Sequence, residues 1–337
     1  MSGQILTTTL KESGMGSLGA RVTSDQIPLT VAIPTYNRSD SLCGLLQAVL
    51  GQVGVHDEVI VADDGSSDDT YQRVRDILGV RMSRAEKNQG MVANWNRCLQ
   101  SASRDWICML HDDDELQPGA LVALRAACSL VREPALIVHH YGGSRYDDAF
   151  RCTISRPCPW SVLNCPTIPS GAVVHRAIVE AVGMFEPRFA YSADQEYFAR
   201  VAAQFPVVVI ESPRIITFNL HDTNFEFSTW RKPDFLAQLE ALKRAIARHA
   251  GLADAATEKW IDDRIREDLL YILDQAARLD DKPLVRKIAA EFHRYRTGLT
   301  RQQRIMISLA ARTGIRHRPT SRGLFRNTPG PGPRSGK

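Results

Sequence analysis

The chain has no apolar run approaching the ~20 residues that a membrane-spanning helix needs, and residues 1–27 lack the apolar core of a secretory signal. A cytoplasmic protein is therefore expected. Its seven cysteines include no C-x-x-C pair, and Cys152, Cys158 and Cys165 lack the spacing of a zinc framework. They read as buried or idle thiols in a reducing compartment. No G-x-G-x-x-G follows the first strand-like segment, which removes a dinucleotide oxidoreductase. Acids are almost missing from the C-terminal end. Past Asp281 only Glu291 remains, among Arg286, Arg294, Arg304, Arg312, Arg322 and other bases. The formal net charge of +4 is too small to imply nucleic acid, and the basicity belongs to that end.

What is present is a soluble composition, 44% hydrophobic and 24% charged over 337 residues, enough for a sizeable core. Residues 1–27, rich in Ser, Thr and Gly, read as a disordered leader. From Pro28 apolar runs alternate with helical spacing. Strands are expected at Leu29–Ile33, stopped by Pro34, and at Glu58–Ala62, Trp106–Leu110 and Ala135–His140. Helices are expected at Ser39–Leu50, Tyr71–Leu78, Asn94–Ser101 and Gly119–Val131. That alternation argues for a parallel sheet covered on both faces, with ligands at the carboxyl ends of the strands. After about Phe150 the alternation lapses. Val173–Val182 and Gln195–Ala203 read as helices and Val207–Ile210 as a strand. From Pro233 the chain reads as helices at Asp234–His249, Thr257–Leu279 and Pro283–Arg296. Thr328 to Lys337 is a Pro/Gly tail.

The densest chemistry is Asp112-Asp113-Asp114, directly after an apolar strand. Adjacent carboxylates repel, so a site that holds them together supplies a cation or accepts protonation. Mn²⁺ and Mg²⁺ take such oxygen ligands together with substrate phosphates. The alternative is that these acids merely favour the start of the helix after Pro118. Asp194 is likewise either a reactive carboxylate or the N-cap of the helix that follows it. Glu196 and Arg200 fall one turn apart, the spacing of a structural ion pair. His139 and His140 adjoin on a strand, point to opposite faces, and are not a chelating pair.

Five segments then occur in order: Pro34-Thr-Tyr-Asn-Arg38, Asp63-Asp-Gly-Ser66, Asn88-Gln-Gly90 before a helix with Asn94 and Asn96, Leu110-His-Asp-Asp-Asp114 to Pro118, and Phe185 to Phe198. In order, spacing and strand-end placement the chain resembles family 2 glycosyltransferases across roughly Pro28–Trp230. The resemblance implies a GT-A type α/β fold: a Rossmann-like, mostly parallel sheet with helices on both faces, followed here by a C-terminal helical region. It implies that Pro34, Thr35, Tyr36, Asn37, Asp63 and Asp64 line a nucleotide pocket, that Asn88, Gln89 and Gly90 close over it, and that Asp112 sits by the ribose or metal. It puts Asp113 in the principal metal-ligand position for Mn²⁺ or Mg²⁺, with Asp114 beside it and His221 as a further ligand. His111 stands where the family often has its first Asp. Asp194 matches the family's general base, although Ala193 replaces the usual preceding Glu.

The activity so implied is an inverting, metal-dependent transfer of one sugar from a nucleotide-diphosphate donor to a glycan, lipid-linked saccharide or small-molecule acceptor. No Gln-x-x-Arg-Trp motif of the processive synthases is present. A nucleotidyltransferase would place a Gly-rich basic loop where Pro34 to Arg38 stands. A glycosidase using Asp113 and Asp194 gives no reason for three contiguous acids. From another class, a non-catalytic nucleotide-sugar binder or scaffold stays open on Ala193 and His111, and a donor-hydrolysis assay separates it. The expected domains are a leader at 1–27, the transferase domain at 28–230, a helical region at 231–298 and a basic, flexible tail at 299–337. The helices could serve a homo-oligomer, and the tail could dock an anionic inner membrane face from the cytoplasm.

Overall fold

The computed structural model describes residues 5–10, 27–140, 149–158, 168–190, 192–219, 229–252, 255–295 and 297–314. They form two compact units that divide after Asn219. The first is built on a sheet which, among the described residues, has nine strands: β1 (Ile5–Leu10), β2 (Leu29–Thr35), β3 (Glu58–Asp63), β4 (Val80–Arg84), β5 (Trp106–Met109), β7 (Leu136–His139), β8 (Phe150–Ser155), β9 (Val173–His175) and β10 (Val207–Ser212). A separate two-stranded ribbon pairs β6 (Glu115–Leu116) with β11 (Ile216–Thr217). The order is β1-β8-β10-β7-β9-β5-β2-β3-β4. Strands β5, β2, β3 and β4 run parallel, as do β7 and β10, with β9 inserted antiparallel between β5 and β7.

The strands read as continuous apolar runs because both faces of the sheet are buried. Side chains alternate between the faces. Val31, Ile33, Val59, Val61 and Leu110 join one core with Leu42, Leu46 and Val49 of α1 (Ser39–Leu50) and Leu121 and Leu124 of α4 (Ala120–Ser129). Ala32, Ile60, Ala62, Ile107 and Met109 face the other core, with Trp95 and Leu99 of α3 (Met91–Ser101), Ile178 of α5 (Arg176–Val182) and Tyr197 of α6 (Ala193–Ala202). A short α2 (Thr70–Val74) has Asp68 Oδ1 accepting from the Thr70 amide at 3.0 Å.

Several expectations are corrected. Pro34 lies inside β2 rather than ending it, because pairing with β5 stops at Ala32 and the missing N–H falls on that unpaired side. Val173–Val182 is a short strand followed by a helix, since three strand residues are too few to show a period of two. The expected leader contributes β1, whose β-branched Ile5 and Thr7 to Thr9 pair with β8. The expected flexible tail contains α10 (Arg301–Thr313), started by a Thr300–Gln303 capping box and seated through Ile307 and Ala310.

The second unit is helical: α7 (Phe235–His249), α8 (Ala255–Arg278), α9 (Lys282–Glu291) and α10, packed in sequence order. Phe235, Leu239, Leu269, Ile272, Leu284 and Phe292 are buried in it, and Lys243, 4% exposed, pairs with Asp268 at 2.7 Å. Trp230, the expected end of the first domain, belongs to this unit: its ring meets Tyr271 edge-on, and its carbonyl accepts from Lys287 at 3.1 Å. Among the described residues no helix is long and apolar enough to cross a membrane.

In the first unit the turn before β3 is tied down by Asp57, which accepts from the Leu29 amide at 2.8 Å and the Gly54 amide at 2.7 Å and is paired with Arg125. Both partners are nearly inaccessible, so truncating one strands a charge. Arg125→Leu should lower the stability of this unit by about 3–5 kcal/mol in urea unfolding; a loss below about 1 kcal/mol would show that the pair holds nothing.

Candidate active site

Strand β2 has β3 on one side, reached through α1, and β5 on the other, reached through α3 on the opposite face. The strand order therefore reverses between β5 and β2, and at such a reversal an open α/β sheet leaves a crevice outside the carboxyl ends of its strands. Thr35 ends β2 and Asp112 follows β5. The Thr35 hydroxyl donates to Asp112 Oδ2 at 2.6 Å across that point. Arg38 donates to Asp112 Oδ1 at 3.1 Å and also to Asp113 Oδ2. Burial pushes the Asp112 carboxyl up to about 6, with Arg38 and Thr35 pulling it back. Arg38 closes the first motif, but sequence reading assigned it no role.

The residues after β5 fold back on themselves, with the Asp114 amide donating to the His111 carbonyl at 3.3 Å. Ribbon β6–β11 pins this turn: the Asn219 amide donates to Asp114 Oδ1 at 3.2 Å, and its side-chain amide to the Asp113 carbonyl at 2.8 Å. Ser170 Oγ accepts from the His111 amide at 3.0 Å, and the His111 ring stacks on Trp95 with centroids 5.2 Å apart. Burial holds His111 down at about 4, a neutral imidazole near pH 7, and pushes Asp114 up to about 7. His111, Asp113 and Asp114 each bring a donor atom to within 4.8 Å of the others. His111 Nε2 and Asp114 Oδ2 are buried without a hydrogen-bond partner. This donor set, one nitrogen and two carboxylates with orphaned atoms, suits a divalent cation. His221, the third ligand expected from sequence, lies outside the described residues.

On the β3 side both acids hold loops. Asp64, 2% exposed, accepts from the Gln89 amide at 3.0 Å and the Gly90 amide at 2.8 Å. Asp63, fully buried, accepts from the Ser66 amide at 2.9 Å and has Arg84 Nε 3.3 Å from its other oxygen. Gly65 is required between them and the next loop: at φ +74° an added Cβ would sit 2.8 Å from the Lys87 backbone. Asn37, at φ +52°, accepts from the Ser67 amide at 2.7 Å, while its own amide donates to Ser66 Oγ at 2.8 Å. Asn94 joins the ends of β2 and β3 through the carbonyls of Thr35 and Ala62. Tyr36 is 43% exposed, and Asn88 and Gln89 are also exposed at the rim.

Asp194 stands in the first turn of α6, whose N-cap residue is Ser192, so the N-cap alternative does not hold. An anion there is favoured by the helix dipole. The helix is linked to the acid turn by aromatic contacts: Tyr197 to Phe185 at 4.3 Å, Phe185 to Trp95 at 5.2 Å, and Trp95 to His111. Asn96 clamps the Phe185 backbone, donating to its carbonyl at 2.9 Å and accepting from its amide at 3.0 Å. Glu196 and Arg200 form the expected ion pair at 2.9 Å. His139 is buried against the Ser170 carbonyl, 2.8 Å away. Arg38 and Asn219 are site residues that sequence reading left without a role, and Arg38 carried a signal in its place in the first motif.

Comparison with known proteins points to a family and a fold. Residues 30–128 match the model of glycosyl transferase family 2. The chain is 26% identical over 196 residues to an uncharacterised glycosyltransferase, YwdF, of Bacillus subtilis, covering 56% of this chain and 73% of that one. It is 37% identical over 102 residues to the GalNAc(5)-diNAcBac-PP-undecaprenol beta-1,3-glucosyltransferase of Campylobacter jejuni, covering 28% and 33%. An uncharacterised protein of Mycobacterium tuberculosis is 40% identical over 98 residues, covering 28% and 31%. The match thus spans about a third of the length of the last two. In fold the chain is similar to Staphylococcus aureus TarS 1–349 solved in complex with UDP-GlcNAc, with a TM-score of 0.57 at 17% identity, covering 87% and 93%. Residues 30–128 are thus similar to glycosyl transferase family 2, on a fold of the GT-A type.

Asp64→Asn should weaken two charge-assisted bonds while leaving the fold intact. Hydrogen exchange at the Gln89 and Gly90 amides should then speed up by about 10-fold or more; unchanged exchange would mean that Asp64 does not hold that loop.

Proposed function

We propose that the protein transfers one sugar from a nucleoside-diphosphate donor to an acceptor hydroxyl or amine, with inversion at the anomeric carbon. The observation that carries this reading is the gathering of Thr35, Asp112, Asp113 and Asp114 at the switch point of the sheet. The nucleotide would lie along Thr35, Tyr36, Asn37, Asp63 and Asp64, under the loop of Asn88, Gln89 and Gly90. The Campylobacter relative's named activity supports a saccharide acceptor, lipid-linked in that protein's case.

Asp113 and Asp114 would hold a divalent ion, Mn²⁺ or Mg²⁺. When bound, such an ion supplies Lewis-acid neutralisation of the departing diphosphate. The protein's own part is to position and to move one proton. Asp194 accepts the proton of the acceptor O–H or N–H as that atom attacks the anomeric carbon. The bond from that carbon to the diphosphate oxygen breaks on the opposite face, and the diphosphate leaves with the electron pair. Trp95 and Phe185 exclude water beneath the acid turn, and Asn96 holds the Phe185 backbone in place.

Asp113→Asn should abolish metal-dependent transfer with an unchanged circular dichroism spectrum. Wild-type turnover in that variant would remove Asp113 from the mechanism. Asp194→Asn should still bind donor while turnover falls by about 10²–10⁴, and full activity would exclude it as the base. A thermal-shift screen of nucleotide sugars with and without Mn²⁺ identifies the donor.

A further inference from the structure

Resting on the reading of a divalent-ion site, we propose that His111 is itself a ligand of that ion, and that its imidazole makes the site select Mn²⁺, or another transition ion, over Mg²⁺.

Three observations lead there. The donor atoms of His111, Asp113 and Asp114 lie within 4.8 Å of one another. Ligands about 2.1 Å from one ion lie roughly 4 Å or less apart, so only a small closure is needed. The second observation is a pair of orphans. Asp114 is 5% exposed with Oδ2 unpartnered, and His111 Nε2 is inaccessible and unpartnered as well. Buried polar atoms are rarely left so, and one shared cation satisfies both. The third is that the imidazole is held in place before any ligand arrives. Its backbone amide is fixed on Ser170 Oγ at 3.0 Å, its ring lies on Trp95 with an interplanar angle of 22°, and the turn bond draws Asp114 back to it.

Asp112 is outside the group for a visible reason: one oxygen accepts from Thr35 and the other from Arg38. The ion therefore meets one nitrogen and two carboxylates rather than a set of acids. Mg²⁺ favours oxygen and keeps its waters, whereas imidazole suits ions further along the transition series.

The test uses the untagged full chain, stripped of metal and titrated with Mn²⁺ alone. Pulsed electron paramagnetic resonance should show ¹⁴N modulation from a directly bound imidazole, changing to the ¹⁵N pattern when histidine is ¹⁵N-labelled. It should vanish in His111→Asp and survive in His221→Ala. Competition should show the Mn²⁺-over-Mg²⁺ affinity ratio falling by about tenfold or more in His111→Asp, the lower end of what loss of a mere supporting group costs a metal site. Bound Mn²⁺ without nitrogen modulation in the wild type, or modulation lost in His221→Ala, overturns the assignment of His111 while leaving a metal site standing. So does an unchanged ratio in His111→Asp. Failure of the wild type to bind Mn²⁺, or undiminished binding in Asp113→Asn, instead removes the metal site on which the inference rests.

Discussion

Carboxylates gathered where water is scarce repel one another and lose hydration, and the site depends on how that cost is met. Asp112 is met by a hydroxyl and a guanidinium from the far side of the crevice. Asp114 is only partly met, by the Ser170 hydroxyl and the Asn219 backbone amide, and burial holds its carboxyl well above the usual carboxylate range. Asp113 shares Arg38 with Asp112. The fold thus presents a partly neutralised acidic group whose donor atoms suit a divalent ion.

The sheet makes this arrangement possible because its strand order reverses at β2. The carboxyl ends of β2 and β5 lie at that reversal, while the central strands β2, β3 and β5 are packed on both faces. The loops around the opening are held by side chains that reach backbone groups, Asp64 to the loop before α3 and Asn219 to the acid turn. Such bonds set loop position without closing the crevice. The aromatic row from Tyr197 through Phe185 and Trp95 to His111 couples the α6 helix to the acid turn. A packing change in that row would therefore be felt at both ends of the site.

Much of the first unit was legible in its sequence. Strands β2, β3 and β5 stand out because burial on both faces demands unbroken apolar runs, and α1 shows its buried Leu42, Leu45, Leu46 and Val49 at helical spacing. The misses share a cause. Strands β4 and β8 are mostly half-buried or exposed, and β9 is three residues long, so none has enough pattern to be read locally. Helix α10 buries only Ile307 and Ala310, and its start was set by a capping box rather than by a stripe. In the site, the strand-end acids were legible by type and position. The contacts that Ser170 and Trp95 make with His111 were not, because His111 lies 59 and 16 positions away from them.

By itself the sequence determined that acids follow apolar strands, that those strands alternate with helices, and that a carboxylate stands near the start of a later helix. Periodicity and strand-end chemistry are local properties, written within a dozen residues. Only the tertiary structure decided that Asp112 is occupied by Thr35 and Arg38 while His111 and Asp114 are left with unpartnered atoms. Those outcomes come from contacts between segments that the chain brings together from tens of residues apart, where packing and desolvation, not spacing, choose which polar atoms find a partner.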